Sequence, residues 1–208
     1  MTWPFFDLRI TCGEVLLRGV ADADLSWLVA AIPDDLELDP ANERFKTLPH
    51  DADRRRQLVG EIWRHRGTWS PESWCLDLAV EVDGRVVGVQ ALEGEQFPRL
   101  RTVDSFSWLS SAVRGRGLAN LMRTGILVLA FEHLGAEVAV SSARTDNPAS
   151  LAVSHRMGYV ENGLSRTITP TGPFELQHVR LTREAWRAGG RTAAVTGVEP
   201  CLPWFGLG

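Results

Sequence analysis

Apolar and polar positions set out the elements of this chain before any composition is counted. Across Leu8–Gly19, Ile10, Val15 and Leu17 recur at period two, the pattern of a strand or short hairpin. Asp22 and Asp24 stand where a helix N-cap belongs, ahead of Leu25, Trp27, Leu28 and Ile32 at helical spacing. Pro33–Pro49 is acidic, carries prolines and lacks a clear period, so it reads as mostly loop. Asp51 or Asp53 is placed to cap a helix running to about Arg66, with Leu58, Val59, Ile62 and Trp63 as its apolar stripe.

Trp74–Val82 and Arg85–Leu92 are β-rich runs joined at Asp83-Gly84, a hairpin signal. Thr102–Leu109 predicts another strand. Gly115–Gly117 interrupts the pattern, and Leu118–Leu134 follows as a helix apolar on so many sides that it must lie buried on a sheet, with Gly135 at its C′ position. Glu137–Ser142 is a short strand. Asn147-Pro148 opens a helix that Gly158 ends. Ser165–Thr169 and Glu175–Leu181 read as a last hairpin, and Thr182–Ala188 as a short helix. The fold class is α/β (α+β): one domain over 1–188, with a mixed central sheet and helices on both faces. Residues 189–208 read as a Gly-rich tail, in which the apolar run Pro200–Phe205 is free to pack on a neighbour, so a homodimer is open.

With 208 residues, one domain has room for a sizeable core. The net charge of −4 argues against nucleic acid, which needs a concentrated positive face, and suits a basic or amine-bearing substrate. Asp53-Arg54-Arg55-Arg56 reads as a solvated helix face. Cys12, Cys75 and Cys201 form no C-x-x-C pair and have no histidine at ligand spacing, so no metal and no disulfide framework are expected. The start lacks a basic n-region and an apolar h-region, and the longest apolar run, Ile126–Phe131, is too short for a bilayer. A cytoplasmic, soluble protein without membrane contact is expected.

The chemistry concentrates at Trp108–Met122. There a strand runs into a Gly-rich turn that opens a long apolar helix. Such a turn leaves backbone N–H groups unpaired at the positive end of the helix dipole, and Gly115 and Gly117 let an anion approach without a Cβ in the way. Arg114 and Arg116 add positive charge. The pattern is neither a P-loop nor G-x-G-x-x-G.

Arg114-x-x-Gly117-x-Ala119, preceded by Val113 and followed by an apolar helix, resembles the R/Q-x-x-G-x-G/A signature of the GNAT superfamily of N-acetyltransferases. Asn147-Pro-Ala-Ser150, with Gly158-Tyr159 and Gly163 after it, is similar to the N-x-x-S…G-F/Y segment of its Rim-type branch, the ribosomal-protein N-terminal acetyltransferases. The resemblance implies acetyl-CoA as cosubstrate, with no metal. Its pyrophosphate would sit on the backbone of Val113, Arg114, Gly115 and Arg116 and of Gly117, Leu118, Ala119 and Asn120. Thr102–Leu109 and Glu137–Ser142 would splay apart, and unpaired backbone at Ser107, Trp108 and Leu109 would take the pantetheine arm. Asn147 would hold the pantetheine or the loop beside it, or cap its own helix. Arg156 could reach the nucleotide phosphate.

The reaction so implied is direct attack of a neutral primary amine on the thioester, the acceptor being a small amine or a peptide N-terminus. Asp104, close to where many relatives carry a glutamate, is the candidate base. The position of the family's common catalytic tyrosine holds Ser154, and Ser150 matches the residue proposed as proton donor in the Rim-like branch; a hydroxyl there could equally cap its helix. Tyr159 reads as core. His155 and His133 fit helix ends, and His50, His65 and His178 have no partner in sequence. Trp27, Trp63, Trp69 and Trp74 either line an acceptor pocket or fill the core. A non-catalytic acyl-CoA-binding module is the alternative function.

Overall fold

The computed structural model describes residues 3–36, 44–169 and 172–207. Among them nine strands form one mixed sheet: β1 (Arg9–Cys12), β2 (Val15–Gly19), β3 (Ser73–Val82), β4 (Arg85–Glu95), β5 (Thr102–Leu109), β6 (Val138–Arg144), β7 (Val160–Thr169), β8 (Gly172–Thr182) and β9 (Ala194–Thr196), in the order β7-β8-β6-β5-β4-β3-β2-β1-β9. The helices are α1 (Leu25–Ala31), α2 (His50–Gly67), α3 (Phe97–Leu100), α4 (Leu118–Val128), α5 (Pro148–Met157) and α6 (Arg183–Ala188). None is long and apolar enough to cross a membrane.

Alternation along the strands assigns the two faces. Val103 and Leu109 of β5 and Leu92 of β4 join Leu118, Met122 and Ile126 of α4 in the larger core. Val89 and Trp108 point the other way, onto Leu28 of α1 and Leu58 and Ile62 of α2. The Asp83-Gly84 turn takes positive φ at both residues, 50° and 71°, the twist-matched geometry of a two-residue hairpin.

Several expectations shift. Neither Asp51 nor Asp53 caps α2, which Pro49 precedes, and Asp24 stands at the N-cap of α1 without bonding that helix, its side chain closing a capping box on the short turn Asp22–Asp24 before it. Asp24 instead takes a two-pronged pair from Arg18 at 2.7 and 2.8 Å and the Ala21 N–H at 2.7 Å. Asp53, buried in the first turn of α2, accepts from Phe45 N–H, Arg56 and Gln57. The arginines beside it are not a merely solvated face, since Arg54 donates to Pro33 and Leu36 carbonyls. Of the Pro33–Pro49 loop, 37–43 lie outside the described residues. The helix from Leu118 changes at Leu129 into a π-turn over Leu129–His133, with Leu134 N–H reaching back to Leu129 O at 3.0 Å. β7 begins at Val160, ahead of the expected Ser165, and its register slips between Glu161 and Leu164, where Gly163 has φ 102°.

Residues 189–208 are not an unpatterned tail. β9 adds an antiparallel edge to β1, and a 3₁₀ turn over Glu199–Phe205 drives Cys201 and Phe205 to 0% exposure. Phe205 packs on Phe5, Trp69 and Trp74, and Trp69 donates to the Trp204 carbonyl at 2.8 Å. The apolar run packs on its own chain because the N-terminal Trp3–Phe5 segment leaves this aromatic surface open to it. Trp69 and Trp74 are core, while Trp27 and Trp63 are exposed, having rotated off the stripes assigned to them.

Candidate active site

β5 and β6 run parallel but pair only at Thr102↔Val138 and Val103↔Ala139. Beyond that point the strands part, and the β5 edge from Asp104 to Leu109 faces no strand on that side, although its other edge is fully laddered to β4. At the open end a 3₁₀ turn, Ser111–Val113, leads into the Gly-rich loop. Gly115 and Gly117 adopt φ 79° and 81°, and a Cβ at either would meet open space. Gly117 is the N-cap of α4 and no side chain caps this helix. The first described hydrogen bond past Arg114 is Asn120 N–H to Gly117 O, so the N–H groups of Gly115 through Ala119 have no backbone acceptor. The expected Gly-rich turn is thus present, with a run of unpaired backbone N–H groups among the described residues. Leu118 is buried beneath it, and Val113 and Ala119 pack at its flanks.

The two arginines are engaged elsewhere. Arg114 grips Asp35 at 2.6 and 2.8 Å and donates to Leu109 O at 3.1 Å, while Arg116 pairs with Glu14 at 2.7 Å. Such exposed pairs are worth little and exchange readily with a phosphate. Along β5, Ser107 and Leu109 face α4 while Trp108 turns to α1 and α2, so these residues meet a ligand in the cleft through their backbone.

Asn147 caps α5: its Oδ1 accepts from Ser150 N–H at 3.2 Å. Ser150 and Ser154 share one helix face, a turn apart, but Ser154 is 2% exposed while Ser150 stays half-open. Arg156 is exposed in the last turn.

On the α1–α2 face, β3, β4 and β5 bring acids together. Asp104 stands opposite Glu93, and Glu93 opposite Cys75, in one row across three strands. Asp104 is exposed at the surface of the sheet, yet the protein around it partly desolvates the carboxyl and raises its pKa, against the Ser105 N–H bond and the charges of Arg123 and His178. Glu93 is raised by desolvation and then by Asp104. Next to them His65 meets Asp77 at 2.8 Å. Burial disfavours the imidazolium, but the Asp77 bond and charge outweigh it and raise the pKa. His65, Cys75 and Asp77 offer donor atoms within 4.8 Å of one another, a contact between α2 and β3 that linear spacing hides. Burial and surrounding acids hold the Cys75 thiol firmly protonated, which makes it a poor metal ligand. Of the histidines left without a role, His178 meets Ser165 at 2.7 Å, across the β7–β8 ladder.

On the α4 face, a polar group escaped sequence reasoning. Tyr159, placed in the core as expected at 3% exposure, brings its hydroxyl beside Ser105 and Arg123, and Arg123 itself is only 6% exposed. An arginine on an otherwise apolar helix face was the available signal.

An open fork between parallel strands, with an uncapped helix N-terminus at its mouth, leaves backbone groups of both elements unpaired among the described residues. The acetyltransferase (GNAT) domain profile matches residues 14–160, and the chain belongs to that family of acetyltransferases, whose acetyl donor is acetyl-CoA. RimJ of Mycobacterium smegmatis, solved in complex with CoA-disulfide, has the same fold: TM-score 0.69 at 21% identity, covering 93% of this chain and 99% of that one. A chimeric spermidine N-acetyltransferase combining Vibrio cholerae SpeG and hSSAT superposes with TM-score 0.64 at 13% identity, over 84% and 99% of the two chains.

Proposed function

We propose that this protein transfers an acyl group from acyl-CoA, acetyl-CoA in the family's usual reaction, to a primary amine by direct attack. The observation that carries this reading is the continuity of two unpaired backbone runs: the N–H groups of Gly115–Ala119 and the free β5 edge from Asp104 to Leu109. The first suits pyrophosphate, with Arg114 and Arg116 in the same loop, and the second suits the amides of pantetheine.

Asp104, on the face opposite α4, takes a proton from the incoming ammonium, directly or through water. Its raised pKa suits that task better than an ordinary carboxylate would. The amine lone pair attacks the thioester carbonyl, a C–N bond forms, the C–S bond breaks, and the thiolate gains a proton. That proton is the one the attacking amine nitrogen sheds, and Ser150 is the proposed hydrogen-bond donor to the departing sulfur, since Ser154 is sealed. Glu93 and Asp77 give the acceptor side a negative wall, which favours a cationic amine, whether a small amine or a peptide N-terminus. Spermidine, the acceptor in the name of one structural neighbour, is such a cationic amine.

The test is thiol release from acetyl-CoA across a panel of amines and N-terminal peptides. Amine-dependent release with amide formation by mass spectrometry supports the reading. Tight CoA binding without release by any amine would make the protein a binding module.

A further inference from the structure

Among the described residues, six buried side-chain nitrogen or oxygen atoms have no partner of good hydrogen-bond geometry, and five of them belong to β4, β5, α4 and the turn after α5: Gln90 Oε1, Ser105 Oγ, Asn120 Oδ1, Arg123 Nη1 and Tyr159 Oη. Gln90 and Ser105 project from β4 and β5 toward α4, on the side of Leu92, Val103 and Leu109. Asn120 and Arg123, three residues apart, project from the same side of α4. Ser105 lies just past Val103, the last β5 residue paired to β6, so it stands at the closed end of the fork with Tyr159 and Arg123 beside it, while Gln90 lies opposite Ser107 and Asn120 in the first turn of α4.

Arg123 is the anomaly. It is 6% exposed on a helix whose Met122, Ile126 and Leu127 are core, and no described carboxylate comes within 4.0 Å of it. Asp104 feels its charge but stands on the opposite face of the sheet. A buried cation with an unpartnered Nη1 is unfavourable by itself and is normally matched by an anion. Beside it stand a phenol, kept protonated because burial raises its pKa, and a serine hydroxyl. The guanidinium can only donate, while the phenol and the hydroxyl beside it can turn either to one another or to a third group. An acetyl methyl satisfies none of them, whereas a carboxylate accepts from all three, with two oxygens matched to the guanidinium fork.

We propose that Arg123, Tyr159 and Ser105 bind a carboxylate at the far end of the acyl group, so that the preferred donor is the CoA thioester of a short dicarboxylic acid, with acetyl-CoA the weaker one. The inference rests on the fork being the acyl-CoA site. The transfer is otherwise unchanged: the amine nitrogen bonds to the thioester carbonyl, the C–S bond breaks, and the amine proton ends on the thiol by way of the base. The product amide now carries a carboxylate, so the acceptor exchanges a positive charge for a negative one.

Calorimetric titration of the whole protein with CoA, acetyl-CoA and succinyl-CoA tests this, with malonyl- and glutaryl-CoA setting the chain length. Succinyl-CoA should bind about 10- to 100-fold tighter than acetyl-CoA, the range of charge-assisted hydrogen bonds. Arg123→Leu should erase that ratio and leave CoA affinity intact, and Tyr159→Phe should reduce it by about tenfold or less. The ratio of kcat/KM for the two donors should follow. Equal or tighter binding of acetyl-CoA by the wild-type protein overturns the proposal, as does an unchanged ratio in either variant. Loss of all CoA binding in the wild-type protein instead overturns the assignment of the fork, a separate result. If Arg123→Leu does not fold, the wild-type ratio and Tyr159→Phe decide.

Discussion

Glu93 and Asp104 stand directly opposite one another on β4 and β5, two carboxylates as cross-strand partners on the same face of the sheet. Like charges so placed destabilise a ladder. Both pKa values are raised, by desolvation first, and Glu93 further by Asp104 itself. Each group therefore favours the proton in the folded state, a costly arrangement for stability and a useful one for accepting a proton from an ammonium.

The sign of the pH dependence follows. A carboxylate raised in the native state binds more protons folded than unfolded, so stability falls as pH climbs from the ordinary carboxylate range, about 4, through the raised native values. Glu93→Gln and Asp104→Asn should each raise the urea midpoint at neutral pH, and the gain should vanish below pH about 4. Asp104→Asn should also cut kcat at neutral pH by about 10²-fold and recover near the pKa of the amine, where the acceptor is already neutral. A variant pH–rate curve that overlays the wild-type one would remove Asp104 from the mechanism.

Gly117 sits at φ 81° with open space where a Cβ would project. Valine there must either adopt a left-handed conformation, costing about 1–3 kcal/mol, or turn the loop and its N–H groups away. Gly117→Val should weaken CoA binding tenfold or more by calorimetry while circular dichroism stays native. Arg116→Ala, which removes an exposed pair with Glu14, should change affinity only a few-fold. Equal effects would place the anion on the arginine and away from the backbone.

The C-terminal segment behaves as core. Phe205→Ala empties a fully buried site among Phe5, Trp69 and Trp74, and large-to-small changes of this kind cost about 3–5 kcal/mol. Thermal denaturation should show a large drop in Tm, and truncation before Ala194 should do more, since it also removes β9 from the sheet edge. An unchanged Tm would mean that the segment is docked only loosely.

Local signals reached far in this chain. Asp83-Gly84, the glycines before Leu118 and the Asn147 cap are each decided by a few neighbouring residues, and the hairpin, the Gly turn and α5 lie where those residues put them. What adjacency could not show was pairing over distance. Asp24 and Asp53 look like caps in sequence, yet Arg18 and Gln57 claim them after folding. His65 finds Asp77, and Phe205 finds Phe5, only once helices and strands are packed. The arginines of the cradle are legible as charge, but their partners Asp35 and Glu14 are set by tertiary placement. Arg123 shows the same limit: a helical pattern marks it as facing the core, and only the three-dimensional arrangement shows the fork and the phenol beside it.

Ser150 and Ser154 separate the two possible serine donors to the leaving thiolate. They lie one turn apart on α5, so both point along the same face, and only accessibility distinguishes them. Ser154 is sealed at 2% exposure, whereas Ser150 is half-open in the first turn, where Asn147 holds its N–H and leaves the hydroxyl for other work. A serine hydroxyl is too weak an acid to give up its proton fully at neutral pH, so its contribution is a hydrogen bond to developing negative charge on sulfur. Loss of one well-aimed donor costs on the order of 10²-fold in kcat, and less where the leaving group is as good as a CoA thiol. Ser150→Ala should therefore lower kcat by about tenfold with CoA affinity unchanged, and Ser154→Ala should lower stability slightly and leave kcat alone. Steady-state kinetics beside a CoA titration reads both. A crippled Ser154→Ala with a normal Ser150→Ala reverses the assignment, and normal rates in both variants hand the proton transfer to water.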